Sequence, residues 1–279
     1  MLAARPGRSN AMAVTIASKH AFQPIQAADA PMPPCSTATR MVDRLESSGA
    51  WPSPHLIDSI AGQGRRALPA LAAYVRGALM GHRLPEPLPI AIRLLGAIGH
   101  LDAIPVLTSL LRDCSGELAD AAADALSEIG PEAAVACMNL AERTDLPLSN
   151  RVGAVNAARE GSCGRPNTEH AVGRRLHRML LVELCRGELL SRPNRQWAAA
   201  VVESLAYIGF EPARPAIDAA FDRGIVSESE LARSVIEDLF MGSPGEHRDS
   251  RLPFLIRYRR NVEMRSLRLS SLWRARAET

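Results

Sequence analysis

The 279-residue sequence predicts an all-α protein, an α-solenoid of about five stacked helical hairpins over residues 41–240. Three observations carry that expectation. A motif built on an Ile-Gly pair recurs, in LLGAIGHLDAIPVLTSLL from Leu94, ALSEIGPEAAVACMNL from Ala125 and SLAYIGFEPARPAI from Ser204. The apolar residues around it stand three and four apart, which lines one face of a helix. The chain is 47% apolar but only 4% aromatic, so its core is mainly Ala, Leu, Ile and Val. Such a core suits closely packed helices better than an aromatic-lined ligand cavity.

Aligned on the glycine, the copies fall at Gly64, Gly99, Gly130, Gly161 and Gly209, at intervals of 35, 31, 31 and 48. A period in the thirties marks stacked helical hairpins. Seven and four residues before each glycine stand Ile57 and Ile60, Ile92 and Leu95, Ala123 and Leu126, Ala154 and Ala157, Val202 and Leu205. Each pair shares one helix face, and the glycine is expected in the left-handed conformation that ends a helix. A second helix then begins, with Pro69, Pro105 or Pro215 in its first turn, where the amides lack intrahelical partners. Ala103, Leu107 and Leu110 recur as Ala134, Met138 and Ala141 and as Ala213, Ile217 and Ala220, one stripe per second helix. A hairpin with a stripe on each helix cannot bury both alone; the next hairpin completes the core.

The blocks AIRLLGAIGHLDAIPVLTSLLRD and VVESLAYIGFEPARPAIDAAFD resemble HEAT repeats of the short bacterial kind found in phycobilisome lyases, over roughly residues 54–240. The resemblance implies a right-handed superhelix, and it is specific for fold rather than for function. The family's usual arginine ten residues before the glycine occurs only as Arg151; Pro54, Pro89, Asp120 and Ala199 hold that place elsewhere. A polar ladder built on that arginine is therefore not expected.

The 48-residue interval marks an insertion after Gly161, a loop followed by a long second helix. Asn167 is its expected N-cap, with Glu169 in the first turn. Val172, Leu176, Met179 and Leu180 form the expected buried stripe, and Arg174, Arg175 and Arg178 fall on or near the other face. Ser227 with Glu230 reads as a capping box for a terminal helix with Leu231, Val235 and Leu239 inward. Pro244 and Gly245 then break the pattern, and residues 241–279 read as a linker and a basic, partly ordered tail. From Arg248 on, nine arginines stand against three acids, with Phe254, Tyr258 and Trp273 among them. Arginine interleaved with aromatics can grip nucleic acid or an anionic membrane surface, while Leu252, Phe254, Leu255 and Ile256 can fold back onto the solenoid end.

Residues 1–40 read as a disordered leader, basic at first and too weakly apolar for a signal peptide. The five scattered cysteines form no CxxC signature and read as reduced thiols of a cytoplasmic protein. The net charge of +3 exerts no global pull toward polyanions. No run approaches the length of a membrane span.

Catalytic patterns are missing: no HExxH, GxSxG, Walker A or GxGxxG occurs. His170 and His177 are two turns apart on one helix, too far to share a metal without a partner from elsewhere. Cys163, in a Gly-Ser-Cys-Gly loop, is the most exposed-looking thiol and has no base beside it. The expectation is a non-catalytic bacterial scaffold, without cofactor or metal, that binds another protein. Its candidate contact residues are Arg112, Asn139, Glu142, Arg143, Arg174, Arg175, Arg178, Asp218 and Asp222. The alternatives are nucleic-acid binding through the Arg174–Arg178 face and the tail, and a bilin lyase-like or modifying enzyme, the latter resting on repeat resemblance alone.

Overall fold

The computed structural model describes residues 36–81, 85–186, 192–242 and 253–277, without the side chains of 192–194 and 266–277. Among the described residues there are thirteen α-helices and no strand, so the chain is all-α. In order they are α1 (Ser36–Glu46), α2 (Pro54–Gly62), α3 (Leu68–Met80), α4 (Leu88–Ala97), α5 (Ile104–Asp113), α6 (Glu117–Ile129) and α7 (Pro131–Ala141). There follow α8 (Leu148–Ser162), α9 (Pro166–Arg186), α10 (Arg192–Tyr207), α11 (Arg214–Asp222), α12 (Arg233–Met241) and α13 (Phe254–Ala277). The expected leader lies outside the described residues as far as 35, as does Cys35. From Ser36 the chain is helical, so α1 begins ahead of the boundary at 41.

The helix signals act locally as the chemistry requires. Ser53 caps α2 by accepting from the Leu56 amide, with Pro54 in the first turn. Pro69, Pro105 and Pro215 occupy the first turns of α3, α5 and α11. At Gly209 (φ 65°) α10 ends in a Schellman motif. Its amide donates to Ala206, and the amide of Phe210 reaches back to Leu205.

Packing follows the stripes. Each even-numbered helix from α2 to α12 packs against the next even one, and α5, α7, α9 and α11 form a second such series. Of the ten predicted first-helix positions only Ala123 is not fully buried, and all nine second-helix positions are buried. Small residues set the spacing: at Gly96 an added Cβ would stand 2.4 Å from the Ala125 Cα, so α4 and α6 meet backbone to backbone. A Leu or Ile truncation in such a core typically costs about 2–5 kcal/mol.

Several expectations are corrected. Gly161 does not end a helix: it lies inside α8, where its missing Cβ lets the Gly130 carbonyl approach, and the turn comes at Gly164 (φ 73°). Asn167 is not an N-cap, because Pro166 opens α9 and the first helical amides point to the Arg165 carbonyl. Glu169 is a capping group, accepting from the Gly164 amide at 2.7 Å. In α9 Met179 is only partly buried, whereas Glu183 and Leu184 continue the inner stripe. The Ser227 turn forms, but Glu230 does not cap it; α12 starts at Arg233, whose amide donates to Glu228. Ile236 is then the buried residue, and Val235 is exposed. The break at Pro244 and Gly245, with Arg248, Arg251 and Leu252, lies outside the described residues. From Phe254 the tail is a helix laid across α2 and α4.

Candidate binding surface

Seven of the nine candidate residues come together where α5, α7 and α9 lie side by side. Their centre is Arg175. Its Nε donates to Glu142 Oε1 at 2.8 Å and its Nη2 to Asn139 Oδ1 at 2.9 Å, so a residue of α9 grips α7 and the residue just after it. Arg175 is therefore turned toward α7 and not simply to the outer face, while Arg174 and Arg178 are exposed. The hydrogen bond from Arg175 holds the Glu142 carboxyl below the usual carboxylate range; burial opposes this and Arg178 reinforces it.

Beside this clasp the C-terminal ends of α5 and α7 carry a second charged group. Arg112 makes a two-pronged pair with Asp113, both contacts at 2.7 Å, and Arg143 pairs with Asp145. The hydrogen bond that Arg112 donates to Asp113 raises the Arg112 pKa while nearby Arg143 lowers it, so the two pairs sense each other. Beneath them the buried amide of Asn150 donates to the carbonyls of Leu111 and Cys114 and closes the α5 end. Asn150 was not singled out from the sequence, where it reads only as part of a helix start.

The remaining two candidates stand apart. Asp222, at the end of α11, pairs with Arg233, and Asp218 adds to the charge field around that arginine. They are exposed, but they serve the α11–α12 junction instead of the Arg175 clasp. Along the outward residues both signs are mixed: Glu132, Glu142 and Arg143 on the α7 side, Arg174 and Arg178 on α9, and Asp218, Asp222 and Arg223 on the α11 side.

The long α9 is also fixed from its far side. Phe210 presses on Gly173, where a Cβ would meet its ring at 2.4 Å, and it lies between His170 and His177 at 5.5 and 6.1 Å. Both histidines are thus neighbours of one ring. Among the described residues no group of three His, Cys, Asp or Glu stands close enough to hold a metal ion.

Cys163 contradicts its exposed appearance: it is 1% exposed and its thiol points to the Arg159 carbonyl. Among the described residues the exposed thiol is Cys185. Burial pushes Cys137 up to about 12 and Cys114 up to about 11, away from thiolate chemistry at neutral pH. Cys114 lines an apolar cleft with Val75, Leu79, Val106 and Leu110 whose free space is about 20 Å³, enough for one water. No helix among the described residues is long and apolar enough to cross a membrane. No family model, no curated protein and no solved structure matches the chain.

Proposed function

We propose that the chain is a right-handed α-solenoid of about five HEAT-like hairpins. It works as a non-catalytic cytoplasmic scaffold and binds another protein on the surface of α5, α7 and α9. The observation that carries this reading is the Arg175 clasp. It ties two successive second helices together by polar side chains at their outer edge and leaves a broad surface of mixed charge around it. Mixed charge of both signs complements a protein surface, which also carries both signs; a polyanion asks for arginine alone. The repeated packing of even helices on even and odd on odd supports the solenoid, since that is what hairpins stacked in register produce.

Two measurements test it. In solution scattering, an open row has a radius of gyration well above the about 19 Å of a compact chain this long; a value near that figure ends the solenoid reading. For binding, a partner captured from the source organism is purified and titrated against wild type and the Arg174→Glu/Arg178→Glu variant. Loss of about tenfold or more in affinity is expected for interface residues of this kind. Unchanged affinity removes this surface from the interface. Capture of RNA in place of protein, lost steeply with salt, replaces the reading with nucleic-acid binding.

A further inference from the structure

We infer that α13, with Trp51 beside it, is a membrane-docking surface that lies in the headgroup region of an anionic bilayer. The inner face of the helix is already committed. Phe254 and Tyr258 are each 5% exposed, and the Phe254 amide donates to Glu128. Tyr258 donates to the Pro52 carbonyl, Arg257 pairs with Glu128, and Arg259 pairs with Asp58. These contacts hold the helix against α2, α4 and the end of α6, so its outward face is presented from a fixed mount.

That face is apolar and charged at once, with Arg260 and, three residues on, Glu263 exposed among the apolar side chains. Ile256 and Met264 are 47% and 48% exposed, and Arg260 stands between them, four residues from each. Helical spacing sets the three along one line. On the Tyr258 and Arg265 side of the helix, about 100° or more round from that line, Trp51 from the segment before α2 presents a 45% exposed indole. It stacks on Tyr258 at 6.3 Å, with the Arg265 guanidinium 4.8 Å from its ring centre. Over its 24 residues the helix carries seven arginines against Glu263 alone.

Phosphate would satisfy the arginines of this helix that Glu128 and Asp58 do not meet, whether it came from nucleic acid or from lipid. Only the boundary between headgroups and acyl chains also rewards the removal of Ile256 and Met264 from water and accommodates a half-exposed indole. The mean hydropathy of such a helix is too low for it to span the bilayer, so it lies in the plane. This surface is on the α2–α4 side of the molecule and does not depend on the protein-binding surface of α7 and α9.

The test is flotation of the purified full chain with vesicles of phosphatidylcholine alone, and with vesicles of equal parts phosphatidylcholine and phosphatidylglycerol. An arm with single-stranded RNA in place of vesicles runs alongside. The expected result is flotation with the anionic vesicles only, falling with salt. Arg260→Glu should weaken it about fivefold or more, since each arginine near such a surface contributes roughly that factor. Ile256→Asp/Met264→Asp should weaken it by about tenfold for each aliphatic side chain that inserts. Both side chains are exposed, so the urea midpoint of these variants should stay at the wild-type value, which separates lost docking from lost folding. Absence of flotation with anionic vesicles overturns the inference. So does flotation indifferent to the Ile256 and Met264 changes, or RNA binding by a chain that ignores vesicles.

Discussion

Tyr258 donates its phenolic hydrogen to the carbonyl oxygen of Pro52, 2.5 Å away and 206 positions back in the chain. The bond fastens the C-terminal helix to the segment that leads into α2. Replacing Tyr258 by Phe keeps the ring among Phe254 and Trp51 but strands a buried carbonyl, so stability should fall by about 1–3 kcal/mol. Burial pushes the phenol up to about 12. Because the folded pKa is raised, the stability it confers is present below the ordinary tyrosine range near 10 and is lost as pH rises toward 12. Urea midpoints at neutral and alkaline pH check both points: the Phe variant should start lower and lack that alkaline loss.

Two helical glycines should respond to alanine in opposite directions. At Gly96 the new methyl would sit 2.4 Å from the Ala125 Cα and 2.5 Å from its carbonyl oxygen, atoms that cannot swing aside. Gly96→Ala should therefore force α4 from α6 and cost at least about 1–3 kcal/mol. Gly77, within α3, has nothing within 4 Å of the added carbon. Gly77→Ala should gain up to about 1 kcal/mol from helix propensity alone. Denaturant midpoints of the pair read the contrast, and a neutral Gly96→Ala would mean the helices are not in contact there.

The core was legible in the sequence because burial is periodic: Ile57, Ile92, Leu126, Val202 and their partners could be placed by counting back from a glycine. The same counting misplaced Gly161, since a glycine that admits a neighbouring backbone looks the same as one that turns the chain. Partnerships were not legible. Arg175 reads as one of three surface arginines, and nothing local reveals that it reaches Glu142, 33 positions away, while Arg174 and Arg178 remain exposed. Nor does the sequence show that Arg257 and Arg259 of the basic tail are met by Glu128 and Asp58. Ion pairs across helices depend on packing register, which no local pattern encodes.

A double-mutant cycle on Arg175→Ala and Glu142→Ala should give a coupling of about 0.2–1 kcal/mol, because both groups are partly exposed and screened by salt. Its pH dependence has a definite sign. The hydrogen bond from Arg175 depresses the Glu142 pKa, so the stabilisation is present above the ordinary glutamate range and is lost as pH falls through the depressed value. The coupling should accordingly vanish in acid and shrink in high salt. A coupling that grows on acidification would show that the clasp does not form in solution.

The buried end of α9 titrates the other way. Glu183 is 3% exposed; Oε1 takes a hydrogen bond from Arg186 at 2.8 Å, and among the described residues Oε2 has none. Burial raises its pKa, against the pull of Arg186 and of Arg151, whose guanidinium lies 3.9 Å over the Trp197 ring. A carboxyl with a raised folded pKa favours the folded state below its ordinary range, and that benefit is lost as pH rises through the folded value. Wild type should thus decline in stability across this interval, while Glu183→Gln, neutral at every pH, should not. At neutral pH the variant should be level with or more stable than wild type, by up to about 1–2 kcal/mol, because it carries no charge for burial to penalise. Urea midpoints from mildly acidic to neutral pH decide the matter. A variant that loses several kcal/mol at neutral pH would show that Arg151 and Arg186 require the charge, and that the carboxylate is held by ion pairing instead of being penalised by burial.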